Sequence, residues 1–232
     1  MQSIGSINII ENFISKDTCN FLISEYKNSF KENAETKNNI HGGHSVGIDH
    51  AFKIGPGKFA FPFYNSDSNN NIATDLTTNI INSICREISD FYKERVDPRS
   101  IFFSKMLEGS FLNKHYDNYL NDGKKFYPYG SNPEIIEKIG FKEDYSALLY
   151  LNNDYQGGEI EFPQENLILK PEPGTLIFFK GNQNSMHGVN EIIKGERINI
   201  VSFYWSTEYH KEYFKEFYLL GELSNQNISK LS

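Results

Sequence analysis

Two separate segments of the chain carry side chains that could bind one divalent metal ion. His115 and Asp117 are separated by a single residue, and His187 lies far downstream. On a β-strand, side chains at positions i and i+2 point to the same face, so His115 and Asp117 would project together. A His-x-Asp pair alone is more typical of a polar surface strand than of a metal site. It becomes informative only if His187 supplies a third ligand.

Two histidines and one carboxylate on one face of an octahedral ion leave three coordination positions open. Non-haem Fe(II) oxygenases use this ligand set, whereas zinc more usually takes a tetrahedral set that often includes thiolates. No cysteine accompanies these residues, since Cys19 and Cys85 stand far from all three. The pattern therefore favours iron(II) over zinc.

Arg197 is a candidate for binding an anion beside the metal. If Ile193-Lys194-Gly195 forms a three-residue hairpin turn with Gly195 in the left-handed conformation, Arg197 pairs with Glu191 and shares the face of His187. Four residues of strand rise by about 13 Å, which an extended arginine and a five-carbon diacid would span together. The guanidinium could then bind the far carboxylate with two hydrogen bonds. An exposed hairpin arginine is the alternative.

These residues lie in a C-terminal half of short, strand-like segments separated by Gly- and Pro-containing turns. Many short strands at close spacing predict a β-sandwich or barrel. The segments are Ile101 to Leu107, Phe111 to Tyr119, Tyr145 to Leu151, Glu159 to Phe162, Leu167 to Leu169, Thr175 to Phe179, Val189 to Ile193 and Arg197 to Trp205. Residues 120–144 interrupt them with a polar insertion and a helical stretch near Pro133 to Ile139. A connection of this length is often a functional lid.

Two amphipathic helices are predicted ahead of these strands. The first follows a strand at Ile7 to Phe13, with Ser15 or Asp17 as its N-cap. The second begins at Thr74 or Asp75, and Pro98 would end it. Between them, residues 33–71 form a polar loop region with one or two short strands around Ala51 to Phe63. Residues 36–71 of this loop and the insertion 120–144 would decide substrate specificity.

Composition narrows the classes of function. The formal net charge is −7 and no basic stripe is present, which disfavours a nucleic-acid binder. Two scattered cysteines indicate a reducing compartment and no disulfide framework. No signal peptide is recognisable, and no apolar run approaches the roughly 20 residues of a membrane helix. These features predict a soluble cytoplasmic protein.

We expect a single domain over residues 1–232, since no linker or internal repeat divides the chain. Residues 1–99 would hold the N-terminal strand, helices and loop region. Residues 100–208 would form the β core with the insertion 120–144, and residues 209–232 a C-terminal helix, from Tyr209 to Leu220, and tail.

Further motifs accompany the metal and arginine positions in a specific order. They are His115-Tyr116-Asp117, Tyr145-Ser146-Ala147-Leu148-Leu149-Tyr150-Leu151-Asn152, Gly157-Gly158-Glu159-Ile160-Glu161-Phe162, Pro171-Glu172-Pro173-Gly174-Thr175-Leu176-Ile177-Phe178-Phe179, His187-Gly188-Val189 and Gly195-Glu196-Arg197. The segment from His115 to Trp205 resembles the double-stranded β-helix core of the 2-oxoglutarate/Fe(II) oxygenases, particularly the prolyl 4-hydroxylase-like branch. The resemblance implies a mainly β (α+β) jelly roll with the N-terminal helices packed on one sheet.

The resemblance also implies roles for particular residues. His115, Asp117 and His187 would bind Fe(II) as the catalytic metal ligands. Arg197 matches the basic residue that pairs with the distal carboxylate of 2-oxoglutarate, where many prolyl 4-hydroxylases have lysine. Tyr150 stands where a hydroxyl often binds the same carboxylate, although a core aromatic is equally consistent with its position. Asn199 stands where a serine or threonine often assists.

The implied activity is hydroxylation of a C–H bond by dioxygen, coupled to decarboxylation of 2-oxoglutarate to succinate, with ascorbate as a candidate reductant. Because Asp117 is present, hydroxylation is favoured over halogenation. A peptidyl proline or another peptide residue is the first substrate expected. A free amino acid or another small metabolite, a cupin-type metalloenzyme without 2-oxoglutarate, and a non-catalytic jelly-roll binding module remain alternatives.

Two weaker groups of residues complete the candidates. The histidines of the Gly-rich loop match no defensible ligand spacing and are better read as loop residues near an entrance or in solvent; they are His41, His44 and His50. Tyrosines near the iron site or the insertion could line a substrate groove; they are Tyr116, Tyr119, Tyr127 and Tyr129. The residues do not specify an oligomeric state.

Overall fold

The computed structural model describes residues 1–29, 48–50, 52–55, 58–60, 72–117 and 145–206. In chain order its elements are β1 Gln2–Ile4, β2 Ile7–Ile10, α1 Lys16–Ser29, β3 Ile48–His50, β4 Phe52–Gly55, β5 Lys58–Ala60, α2 Ile72–Tyr92, β6 Val96–Leu107, β7 Leu112–His115, β8 Tyr145–Tyr150, β9 Gln156–Gly157, β10 Ile160–Phe162, β11 Leu167–Leu169, β12 Leu176–Lys180, β13 His187–Val189, β14 Ile192–Lys194 and β15 Glu196–Ser206. Two 3-10 helices, Pro163–Glu165 and Gln183–Ser185, connect neighbouring strands.

Two antiparallel sheets form the body of the domain. The large sheet has the strand order β1-β2-β12-β8-β15-β6-β3, and the small sheet has the order β11-β10-β13-β7. Apolar side chains of both sheets share one buried cluster, in which Leu148 and Phe179 of the large sheet accompany Ile160 and Phe162 of the small sheet. The sheets therefore pack face to face, and the predicted jelly roll is confirmed.

The other face of the large sheet is covered by the two helices. Helix α1 contributes Cys19 and Leu22 to the main core cluster, and helix α2 contributes an apolar stripe at helical spacing. The stripe consists of Ile80, Ile81, Ile84 and Ile88, all at most 4% exposed. Full burial of each such side chain contributes about 1.5–3 kcal/mol. The predicted packing of the helices on one sheet is confirmed.

The start of helix α1 was predicted correctly, and the end of helix α2 was not. Ser15 is the N-cap of α1, because its Oγ accepts a hydrogen bond of 3.1 Å from the backbone N–H of Thr18. The prediction that Pro98 ends α2 was wrong: the helix ends at Tyr92, and Lys93 follows with φ +56°. Pro98 lies within β6, where the register of β6 against β15 shifts between Phe203 and Tyr204. Proline is tolerated at such an irregularity because one ladder hydrogen bond is already lost.

The predicted hairpin before Arg197 was also wrong. The segment expected as one strand is two: β13 pairs with β10 and β7, and β14 pairs with β9. Gly195 has the expected positive φ of +88°, but the chain then enters the large sheet. Arg197 consequently pairs with Met106 of β6, and Glu191 is not its partner.

Several predictions fall outside the described residues: the helical stretch near Pro133 to Ile139, the C-terminal helix, His41, His44, Tyr119, Tyr127 and Tyr129. The domain division likewise stays a prediction. Within the described ranges, no helix is long and apolar enough to cross a membrane.

Candidate metal centre

Neighbouring strands of the small sheet bring the two histidines together. His115 ends β7, His187 begins β13, and the register of these antiparallel strands places the two residues opposite each other. Their rings are 4.5 Å apart between centroids. Asp117 follows in the turn after β7 and faces both rings. The local pair of His115 and Asp117 is thus completed by His187, which only the pairing of β7 with β13 brings near.

The three ligand atoms lie close to the spacing that one ion requires. Asp117 Oδ1 is 3.5 Å from His115 Nε2 and 3.8 Å from His187 Nε2, and all three ligand atoms lie within 4.8 Å of one another. Adjacent ligands about 2.1 Å from an octahedral metal are about 3 Å apart. The side chains are only 3–6% exposed. Bulk water therefore reaches them little.

Backbone carbonyls hold both imidazoles in the form that a metal needs. His115 Nδ1 lies 2.7 Å from the carbonyl oxygen of Asn113, and His187 Nδ1 lies 3.0 Å from that of Ser185. A carbonyl can only accept, so each Nδ1 donates and each Nε2 is left for coordination. This donor set fits a divalent iron ion with two nitrogens and one carboxylate oxygen.

The charge states of the ligands are set by burial and by one another. Burial lowers the pKa of His187 to about 4, although the charge of Asp117 opposes the shift. Burial also acts to lower the pKa of His115, but the hydrogen bond and charge of Asp117 outweigh it and the pKa is raised. For Asp117, burial is outweighed by His187, His115 and Ser146, so its pKa is well below the ordinary value. An ionised carboxylate thus stands between two imidazoles.

A second set of polar side chains lies on the large sheet, facing the small sheet. Arg197 is 2% exposed, and its Nη2 donates to the hydroxyl of Tyr150 at 2.8 Å. Its Nη1 lies 3.2 Å from the sulfur of Met106, while Nε has no partner among the described residues. Within the same described part of the chain, no carboxylate forms a salt bridge with Arg197. A buried guanidinium without a counter-ion is costly, so the pocket fits an anionic ligand.

Asn199 lies two residues along β15 from Arg197 and opposite Tyr150 of β8. It is 1% exposed, and neither its amide nitrogen nor its amide oxygen has a partner in the part of the chain that the structure describes. The predicted candidates Arg197, Tyr150 and Asn199 are therefore brought together on one face of the large sheet.

Tyr155 was missed in the sequence. It is 2% exposed and packs with Met106 beside the Arg197 pocket, and its hydroxyl has no partner within the described ranges. Burial raises its pKa to about 12, against the lowering effect of the Arg197 charge. Tyr155 lies on the connection after β8, whose path no local periodicity predicts. The unpaired hydroxyl could be recognised only from the packed structure.

Aromatic rings close the metal site on one side. Phe179 and Phe162 contact the ring of His187, with centroid distances of 4.9 and 5.7 Å. Tyr116, between the ligands His115 and Asp117, is half-buried. These apolar walls keep water away from the ligand set and strengthen its electrostatic interactions.

Comparison with known proteins finds similarity, over part of the chain, to the family that the motifs resemble. Residues 101–205, which run from β6 through β15, match the family model described as the 2OG-Fe(II) oxygenase superfamily. Prolyl 3-hydroxylase 3 of Mus musculus is 33% identical over 79 residues, which are 32% of this chain and 11% of that protein. A putative prolyl 4-hydroxylase of Acanthamoeba polyphaga mimivirus is 28% identical over 111 residues, 47% of this chain and 42% of that protein. The chain thus spans about a tenth of the first curated relatives it matches.

Solved structures share the fold over most of the chain. The viral collagen prolyl hydroxylase of Paramecium Bursaria Chlorella virus-1 has a TM-score of 0.55 at 17% identity and covers 86% of this chain and 95% of its own. A prolyl hydroxylase of Trichoplax adhaerens, solved with a peptide fragment, has a TM-score of 0.60 at 16% identity and covers 89% and 86%. The metal ligands and Arg197 all lie in residues 101–205, the segment that matches the model of the 2OG-Fe(II) oxygenase superfamily. The fold of the chain is that of the solved prolyl hydroxylases.

Proposed function

We propose that this protein is an Fe(II)- and 2-oxoglutarate-dependent dioxygenase that hydroxylates a proline residue within a peptide. The observation that carries the proposal is the pairing of a buried His-Asp-His set with a buried arginine that has no carboxylate partner among the residues that the structure describes. A metalloenzyme without an acidic cosubstrate does not need the buried arginine. A non-catalytic module does not need the His-Asp-His set.

Each residue has a defined task in this proposal. His115, Asp117 and His187 would hold the iron and leave three positions open. Arg197 and Tyr150 would bind the distal carboxylate of 2-oxoglutarate and so orient its other end toward the metal. Iron(II) with 2-oxoglutarate and dioxygen supplies the oxidation, in which the cosubstrate is decarboxylated to succinate and one oxygen atom enters a substrate C–H bond.

Two considerations support a prolyl substrate. Curated relatives and structural neighbours are named as prolyl hydroxylases, and one neighbour was solved with a peptide fragment. In this chain, Phe102 and Phe203 form a half-buried aromatic pair, with centroids 5.9 Å apart, on the same face of the large sheet as Arg197. Aromatic-lined grooves are a recurrent way of docking proline-containing segments.

The experiment supplies the protein with Fe(II), ascorbate and 2-oxoglutarate, together with either a proline-containing peptide or free proline. We expect succinate and a peptide heavier by one oxygen atom, and neither product with His187→Ala. Amino-acid analysis then separates 3-hydroxyproline from 4-hydroxyproline, since relatives of both names match. Turnover of free proline alone would favour the small-metabolite alternative. If anaerobic addition of Fe(II) and 2-oxoglutarate gives no visible charge-transfer band, the proposal is wrong.

We also propose a cytoplasmic location, on the basis of the two free cysteines. Fractionation of source cells tests it. Recovery from the medium or from an oxidising compartment would contradict it.

A further inference from the structure

The two oxygens of the Asp117 carboxylate have different surroundings. Oδ1 faces the Nε2 atoms of both histidines, at 3.5 and 3.8 Å. Oδ2 is 2.5 Å from the hydroxyl oxygen of Ser146. An ionised carboxylate can only accept, so the serine hydroxyl is the donor. One oxygen is thus directed to the metal position and the other is already engaged.

Ser146 is a rigid support for this contact. It lies in β8, near the middle of the large sheet, where its backbone pairs with Phe179 of β12 and Phe203 of β15. It is 1% exposed, so no water competes for its hydroxyl. Asp117, by contrast, lies in a turn at the end of the small sheet. The hydrogen bond therefore ties a ligand on a turn to the centre of the opposite sheet.

We propose that Ser146 is a positioning residue that makes Asp117 bind the metal through one oxygen only. This inference rests on the proposed function and deepens it. A carboxylate that bound through both oxygens would occupy a fourth position on the ion. The reaction needs three positions for cosubstrate and dioxygen, so a device that restrains Oδ2 keeps them available. Charge-assisted hydrogen bonds are short and roughly twice as strong as neutral ones, which suits this task.

The test compares variants of Ser146 in protein loaded with Co(II), whose absorption reports coordination number without turnover. Ser146→Thr keeps a hydroxyl, whereas Ser146→Val has the shape of threonine without it, and Ser146→Ala removes it with the least bulk. Ser202→Ala is the matched control, because Ser202 is a fully buried serine of the adjacent strand β15, paired with Ala147, on the face that packs against the helices. Metal affinity is measured by chelator competition, and 2-oxoglutarate affinity by titration of the Co(II) spectrum.

We expect the Ala and Val variants to show an altered Co(II) spectrum and roughly 10- to 100-fold weaker metal or 2-oxoglutarate binding. The Thr variant and Ser202→Ala should stay within about threefold of the parent, as expected when the hydrogen bond to Asp117 Oδ2 is kept. If Ala and Val retain the parental spectrum and both affinities, the role of Ser146 is refuted. If the parent itself binds Co(II) but not 2-oxoglutarate, the proposed function fails instead, so the two failures are distinguishable.

Discussion

At the scale of single residues, the polar atoms that lack partners are informative. Arg197 Nε, the hydroxyl of Tyr155 and both amide atoms of Asn199 are buried without a hydrogen bond within the described residues. Each unsatisfied buried group costs about 1–3 kcal/mol. A dicarboxylate that accepts hydrogen bonds here would recover part of that cost, so mutating these side chains tests whether it binds.

Arg197→Ala should remove the main partner of the distal carboxylate while leaving the metal ligands intact. Hydrogen bonds to charged groups contribute about 1.5–3 kcal/mol, so we expect 2-oxoglutarate to bind roughly 10- to 150-fold more weakly. Calorimetric titration of the Mn(II)-loaded protein measures this, with His187→Ala as the variant that loses the metal. Unchanged 2-oxoglutarate affinity would exclude Arg197 from the site and favour a cupin-type enzyme.

Tyr155→Phe removes only a hydroxyl. If that hydroxyl donates to the bound cosubstrate, 2-oxoglutarate affinity should fall about 2- to 10-fold, corresponding to a hydrogen bond of about 0.5–1.5 kcal/mol. Tyr204→Phe is the matched control, since Tyr204 is equally buried but packs in the cluster on the helix side of the sheet. Equal affinities for the two variants would show that Tyr155 serves packing alone.

At the scale of elements, short connections decide where the site strands enter their sheets. After β13 the chain leaves the small sheet, and β14 pairs with β9 in a separate two-stranded sheet. The chain then passes through Gly195 into β15 of the large sheet. The bend at Gly157 is part of this crossing, because Gly158 donates a backbone hydrogen bond of 3.0 Å to the carbonyl of Glu191. The path of the chain from the small sheet to the large sheet therefore requires Gly157 and Gly195.

Gly157→Ala should destabilise the fold more than Gly109→Ala does. Both glycines have positive φ, +72° and +80°, and share a left-handed penalty of about 1–2 kcal/mol. A Cβ at Gly157 would lie 2.1 Å from the carbonyl oxygen of Glu191, whereas a Cβ at Gly109 would meet no atom within 4 Å. Urea unfolding of the two variants measures the difference. Equal free energies of unfolding would mean that the backbone around Glu191 can shift to accommodate the Cβ at no measurable loss of stability.

At the scale of the whole molecule, the site is shared between the two sheets. The small sheet supplies His115 and His187, and the large sheet supplies Arg197, Tyr150 and Ser146. A bound metal and dicarboxylate would contact both sheets at once. Ligand binding should therefore stabilise the packing of one sheet on the other, since only the folded chain assembles the site.

Mn(II) together with 2-oxoglutarate should raise the melting temperature. At a ligand concentration of 100 times Kd, the stabilisation is about 2.7 kcal/mol. For a protein of this size that corresponds to roughly 5–10 °C. Differential scanning fluorimetry measures the shift. In Arg197→Ala, the Mn(II) contribution should remain and the increment from 2-oxoglutarate should disappear; an equal increment in both proteins would contradict the assignment of the anion pocket.

Local patterns in the sequence determine much of the fold and part of the metal site. The i, i+2 spacing of His115 and Asp117 predicts a shared face because strand geometry is local, and the helical stripes and Ser15 follow from equally local rules. The motifs around His187 and Arg197 implied the family whose model matches residues 101–205. The deduced position of Arg197 opposite Glu191 was nevertheless wrong, because it assumed a hairpin.

Only the tertiary structure decided which strands pair and what surrounds each side chain. The register of β7 against β13 joins residues far apart in sequence, and the crossing of β14 moves Arg197 into the other sheet. Ser146 and Tyr155 acquire their significance from neighbours on elements distant along the chain. Such contacts depend on strand pairing between remote segments, and no periodicity within a single strand or helix encodes them.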